Sequence, residues 1–259
     1  MSANASPKID VHAHFLPPFY RTACLENGHE KPDGMPAVPE WSEAAHLELM
    51  DRMNITKSFL SISTPGTHLD VKNKDLATQL ARDTNAFAAD LKRRKPERFG
   101  YFAFLPIPEI DFCVEEIRRS AEEGCDGFVL LTNGHGHYLG DVEFDPIFAE
   151  LNRRKAIVFI HPTTPCLKCA TDTTDAVAQH ATPLSGKYPN PMLEFFFDTT
   201  RAIANLFLSG TIQRCPDIRF IVPGLGGATP SLISRWTGFS PFTSTPHVIF
   251  RANTAPQAP

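Results

Sequence analysis

The chain has 259 residues, and no stretch approaches the roughly 18 apolar residues that a membrane-spanning helix needs. Its opening, Met-Ser-Ala-Asn-Ala-Ser-Pro-Lys, lacks the apolar core of a secretory signal, so a cytosolic protein with no membrane partner is expected. Basic charge is not in excess either. Lys and Arg number 25 against 29 Asp and Glu, a formal net charge of -4. The one basic cluster, Lys92-Arg93-Arg94-Lys95, sits beside Pro96 at an expected helix end, which argues against nucleic acid as a partner. The cysteines (Cys24, Cys113, Cys125, Cys166, Cys169 and Cys215) are scattered, and reduced thiols are the default. Only Cys166-Leu-Lys-Cys169 has ligand-like spacing, and without a second pair it reads as a loop that happens to hold two cysteines. Internal repeats and low-complexity segments are missing. Gly224-Leu-Gly-Gly227 is not followed by the Lys-Ser/Thr of a phosphate loop and reads as a tight turn from strand to helix.

What is present suits one large α/β domain spanning residues 1–259, since 42% of the residues are hydrophobic and 21% charged. Apolar, β-rich runs occur at 8–15, 57–63, 99–105, 126–132, 157–161 and 218–223. Segments of helical period lie between them at 44–53, 73–94, 111–123, 144–154 and 192–213. Nearly continuous apolar strands imply burial on both faces, hence a parallel sheet wrapped by helices, most simply a (β/α) barrel. Long loops at about 16–43 and 163–190 follow strands that carry histidines and are expected to shape a pocket. The tail at about 236–259 is atypical. A closed eight-stranded barrel needs two further βα units of roughly 30 residues each, which the segment after Arg235 does not accommodate.

In the run Lys8-Ile-Asp10-Val-His12-Ala-His14-Phe15, strand alternation puts Asp10, His12 and His14 on one face. A lone His-x-His is weak evidence for a metal, and two half-exposed histidines are the bland alternative. The balance shifts with His161, which ends the buried run Ala156–Ile160 and so brings a third imidazole to a strand's C-terminal end, where parallel barrels place their chemistry. His135 and His137 follow the fourth strand and face the same end, as substrate contacts or as loop polarity. Arg201 and Asp198, three residues apart in a helix, pair with each other or recognise a carboxylate. Phe19, Tyr20, Trp41 and Phe197 line a ring-shaped pocket or belong to the core.

Taken together, Asp10-Val-His12-Ala-His14-Phe-Leu-Pro-Pro, His161-Pro162, Phe197-Asp-Thr-Thr-Arg-Ala202 and Ser209-Gly210 resemble the ACMSD-like branch of the amidohydrolase superfamily. Pro32-Asp-Gly-Met-Pro36, the Trp41 segment, Gly127-Phe-Val-Leu-Leu-Thr-Asn133 and His161-Pro-Thr-Thr-Pro165 look most like the fungal 6-methylsalicylate decarboxylases. The resemblance runs from about residue 8 to 236. It implies a (β/α)8 TIM barrel of the metal-dependent hydrolase type, here incomplete at its C-terminal end. It also implies one catalytic divalent metal ion, usually zinc, and a homodimer. His12, His14 and His161 match the metal ligands, and Asp10 is expected to orient an imidazole through its other nitrogen. Trp41, His135, His137, Phe197 and Arg201 are candidate substrate contacts. Two departures stand out. Gly224 occupies the place of the family's acid/base histidine, and the chain ends before the family's metal-binding aspartate.

The function implied is non-oxidative decarboxylation of a small aromatic carboxylic acid, most specifically 6-methylsalicylate to 3-methylphenol and carbon dioxide in polyketide secondary metabolism. A proton must reach the ring carbon before the carbon–carbon bond breaks, so an ortho hydroxyl and a chelating metal both help. Two alternatives stay open. The same barrel could hydrolyse a cyclic ester or amide through activated water, or the chain could be an inactive, truncated family member, a reading that Gly224 and the short C-terminus favour.

Overall fold

Strand and helix alternate in space as they do along the chain. A computed structural model describes residues 6–166 and 187–239, and every structural statement below concerns those residues. Six parallel strands form one sheet in the order β1 (Lys8–His14), β2 (Ile55–Ser61), β3 (Phe99–Phe104), β4 (Gly127–Leu131), β7 (Ile157–His161) and β8 (Arg219–Ile221). A short antiparallel hairpin, β5 (Asn133–Gly134) with β6 (His137–Tyr138), follows β4.

All residues of β3 and β4 are buried, as strands covered on both faces must be. Their side chains interleave with those of β2 and β7 in one core that includes Leu60, Phe99, Tyr101, Val129, Val158 and Phe159. β1 differs: Ile9 and Val11 remain 63% and 38% exposed, because this strand has a neighbour on one side only. The sheet is thus an incomplete (β/α) barrel, with β1 and β8 as its two edges.

The helices are α1 (Pro18–Glu26), α2 (Glu43–Met53), α3 (Lys74–Arg94), α4 (Ile110–Glu122), α5 (Asp145–Arg153), α6 (Glu194–Leu208), α7 (Thr211–Arg214) and α8 (Thr229–Phe239). Local chemistry sets several ends. The Ser42 hydroxyl accepts the Ala45 N–H at 3.2 Å to start α2, and Asn54 closes that helix in the left-handed conformation. Asn73 caps α3 by accepting the Leu76 N–H at 3.0 Å. The basic end of α3 is matched by acids: Lys92 meets Asp126 at 2.7 Å, and Arg94 meets Glu43 at 2.8 Å and Asp90 at 2.7 Å. None of the helices is long and apolar enough to cross a membrane.

Three expectations need correction. The helical period over 192–213 is broken by Gly210 (φ 79°), which separates α6 from the single turn of α7. The expected loop 16–43 contains α1, started by Pro18, whose missing N–H is harmless at a helix's first position. The expected tail from 236 begins inside α8. Cys169, most of the 163–190 loop and the tail from residue 240 lie outside the described residues.

Candidate functional site

β1 carries its histidines through an irregularity. Asp10 pairs with Ser58 and Ala13 with Leu60, so three steps on β1 match two on β2, a bulge that re-aims the residues between. The Asp10 carboxylate stabilises this bend by accepting the backbone N–H of His12 at 2.9 Å. It contacts main chain, where the resemblance implied an imidazole.

The sheet curls so that β7 delivers His161 to the same place. The Nε2 atom of His14 lies 3.1 Å from Nε2 of His12 and 3.1 Å from Nε2 of His161. Backbone carbonyls fix two of the rings from behind: Ser61 accepts His14 Nδ1 at 3.2 Å and Pro162 accepts His161 Nδ1 at 2.6 Å. With their protons on Nδ1, His14 and His161 turn bare Nε2 lone pairs toward each other. Burial, and next the neighbouring His12, lowers the pKa of His14 to about 4. His161, only 3% exposed, is lowered well below the usual histidine range by burial and by His14 and His12. Burial also lowers His12, against the opposing charge of Asp10. Three imidazoles whose Nε2 atoms converge form a donor set suited to a divalent cation, and the 3.1 Å spacings suit metal–nitrogen bonds of about 2.0–2.1 Å.

The orientation of His161 is supported from further back. The buried carboxylate of Asp198 on α6 accepts the Thr132 and Tyr138 hydroxyls and Asn133 Nδ2, the last at 3.2 Å. Thr132 Oγ1 then accepts the Thr163 N–H at 3.2 Å. That N–H belongs to the same peptide unit as the Pro162 carbonyl that holds His161. Burial raises the pKa of Asp198, and hydrogen bonds from Thr132, Tyr138 and Asn133 oppose the shift.

The three histidines line a cavity of about 400 Å³. Its walls are mostly apolar, with Leu16, Met35, Val38 and Phe195 among them. Asp33, Thr64 and Thr199 supply polar atoms, and Gly224 and Phe196 border it on the side of β8.

Of the other side chains singled out from the sequence, Tyr20 also lines the cavity, while the following lie elsewhere. Trp41 packs against Phe15 and Phe87 and donates to His46 Nδ1 at 3.2 Å. His135 packs its ring on His68, with centroids 4.8 Å apart. His137 pairs with Glu143 at 2.5 Å. Asp141 lies beside that pair, but its carboxylate accepts Asn205 Nδ2 at 2.8 Å and the Tyr138 N–H at 3.0 Å, so this second cluster locks the hairpin. Arg201 lies 3.7 Å from Asp198 as the spacing suggested, and Phe197 is 44% exposed. None of Trp41, His135, His137, Phe197 and Arg201 lines the cavity. Sequence reasoning missed Asp33, Phe195 and Phe196, although the Pro-Asp-Gly turn was a visible signal for the first.

A barrel of parallel strands with histidines gathered at the strand ends defines an amidohydrolase-type site, and the amidohydrolase family model matches residues 9–251. The chain belongs to the amidohydrolase family. It is 37% identical over 233 residues to decarboxylase yanB of Aspergillus niger, covering 88% of this chain and 61% of that protein. It is 36% identical over 232 residues to 6-methylsalicylic acid decarboxylase acuB of Aspergillus aculeatus, covering 88% of this chain and 66% of the relative. The chain therefore spans less than two thirds of the length of these curated relatives. Its fold is similar to that of 5-carboxyvanillate decarboxylase from Novosphingobium aromaticivorans, a structure complexed with manganese and 4-hydroxy-3-methoxy-5-nitrobenzoic acid. The TM-score is 0.72 at 22% identity, over 91% of this chain and 70% of that one.

Proposed function

We propose that the chain is a metal-dependent, non-oxidative decarboxylase of salicylate-type acids, with 6-methylsalicylate going to 3-methylphenol and carbon dioxide. The observation that carries this reading is the convergence of three imidazole Nε2 atoms on the wall of an apolar cavity. The similarity to named decarboxylases supports it.

His12, His14 and His161 would hold one divalent cation, zinc being the proposed ion. Bound there, the cation would supply Lewis-acid binding of the substrate's carboxylate and ortho hydroxyl. The chain does the rest. Leu16, Val38 and Phe195 clasp the ring and exclude water, which strengthens polar interactions inside the cavity. The reaction places one proton on the ring carbon bearing the carboxylate. The carbon–carbon bond then breaks, its electron pair restores the aromatic ring, and carbon dioxide leaves. Gly224 cannot deliver that proton, having no side chain. This favours a second reading, a chain that binds the acid without turning it over.

The test is to incubate zinc- or manganese-loaded protein with 6-methylsalicylate and measure both binding and 3-methylphenol. Product at one equivalent per carbon dioxide supports the first reading. Saturable binding without product supports the second, and neither binding nor product sinks both.

A further inference from the structure

The cavity is larger than 6-methylsalicylate. Its volume is about 400 Å³, whereas that acid fills on the order of 200 Å³ at protein packing density. One stretch of chain leads from its inside to its mouth. Val38 is buried on the wall, while Met35, Ala37 and Pro39 line the same cavity and stay exposed at its edge. Gly34, next to Met35, is pressed against the neighbouring segment, since a Cβ there would sit 3.2 Å from the Pro189 Cα. Pro191 therefore continues the lip that Met35 begins, and both line the cavity.

The polar residues on this side offer a ligand little. The Tyr20 hydroxyl donates to the Gly66 carbonyl at 2.6 Å, and the Thr64 and Thr163 hydroxyls bond each other at 3.1 Å. Asp33 accepts the Thr164 hydroxyl and Asn190 Nδ2, the latter at 3.2 Å, through one oxygen, and its other oxygen is buried. What faces the spare space is hydrocarbon, which gains only from apolar atoms, about two- to fourfold in affinity for each methylene taken from water. Met35 adds an unbranched side chain that adapts to what lies against it. The carboxylate and ortho hydroxyl of the acid belong at the histidines, so an apolar chain leaves from another ring position and follows Val38 out to the lip.

We propose that the cavity selects salicylates carrying an alkyl chain longer than methyl, with the chain laid along Val38 and the lip formed by Met35, Ala37, Pro39 and Pro191. This rests on the reading that the cavity takes salicylate-type acids. It adds a selection among them by chain length.

The experiment measures Kd by calorimetry on the metal-loaded chain for salicylate and for its methyl, propyl and pentyl derivatives, with the chain at ring position 5 in one series and 6 in the other. In at least one series the pentyl acid is expected to bind on the order of 10- to 100-fold tighter than the methyl acid. Met35→Asp and Ala37→Asp each place a charge on the exposed lip, where folding tolerates it, and the pentyl-to-methyl ratio should fall toward one in both. Affinity that does not rise with chain length in either series, or a rise that survives both substitutions, overturns the selection. Failure of every acid, salicylate included, overturns the decarboxylase reading beneath it.

Discussion

The Thr163 N–H donates to the Thr132 hydroxyl at 3.2 Å, and through this contact the end of β4 governs the peptide that grips His161. Thr132 in turn donates to Asp198, so its hydroxyl is fixed in direction and presents a lone pair to Thr163. Thr132→Val keeps the shape and loses both bonds. Divalent-metal affinity is expected to fall on the order of 10–100-fold, as for other changes behind a ligand, and Thr132→Ser should recover most of it. Competition against a chromophoric chelator gives the affinity, and ¹⁵N NMR of metal-free protein reports whether His161 keeps its proton on Nδ1. Unchanged values in Thr132→Val would show that the 162–163 peptide holds itself.

His14 stands between the other two imidazoles, 3.1 Å from each. Its replacement by Ala should take bound zinc from about one ion per chain to nearly none, because only two separated nitrogens remain. Asp10→Asn should lower metal content far less, since Asp10 touches the His12 backbone. Elemental analysis after gel filtration measures both, and full retention of metal by His14→Ala would refute the site.

Phe159 is fully buried and its ring centroid lies 4.8 Å from that of His12 and 5.7 Å from that of His161. Phe159→Ala is expected to destabilise the fold by about 3–5 kcal/mol through lost packing and the cavity left behind. Urea unfolding followed by circular dichroism gives the value. A loss under about 1 kcal/mol would mean that the surrounding core collapses into the space.

Glu150 on α5 is held by Arg153 at 2.7 Å and Arg154 at 2.8 Å. The Arg153 hydrogen bonds come first in depressing its pKa to about 2, against the opposing effect of burial. A carboxylate with a depressed folded-state pKa binds its proton more tightly when unfolded. Its stabilisation is therefore complete above the unfolded pKa of about 4.3 and is lost as pH falls toward 2. Between pH 5 and 2.5, on an approximate scale, Glu150→Gln should lose less stability than the parent chain. Parallel slopes for the two proteins would contradict this.

At Gly224 (φ 57°) a Cβ would stand 3.0 Å from the Phe196 ring. Gly224→His must adopt a strained backbone and displace that ring, so alone it should give far less than the ~10²–10⁴-fold that a positioned acid or base supplies. Combining it with Phe196→Ala opens the space and should give the larger gain in carbon dioxide release. Equal effects of the single and double changes would show that Phe196 is no obstacle.

The strands were legible because burial on both faces leaves an almost uninterrupted apolar run, as in Phe99–Phe104 and Gly127–Leu131. The histidine cluster was legible because parallel strand ends converge wherever the sheet curls. The surroundings of the cluster were not. Phe195, Phe196 and Phe197 are adjacent and chemically identical, and only the seating of α6 decides that the first two face the cavity and the third does not. Pocket wall and core are both open for Trp41 on sequence grounds, and only its neighbours Phe15 and Phe87, from other parts of the chain, place it against the core. The bulge at Asp10–Ala13 leaves no trace in a simple alternation of residues, and Asp33 is set by a turn whose partners, Thr164 and Asn190, are more than a hundred positions away.

β1 and β7 are separated in the sheet by β2, β3 and β4, yet the rings of His12 and His161 come within 5.2 Å, centroid to centroid. A ligand gripping both would work as a clasp across the bore, tying an exposed edge strand to the buried interior. The sheet's curvature and the grip would then be thermodynamically linked, each gained or lost with the other. Chelation should accordingly be felt first along β1, as faster amide exchange at Ile9 and Val11, well before the deep strands respond.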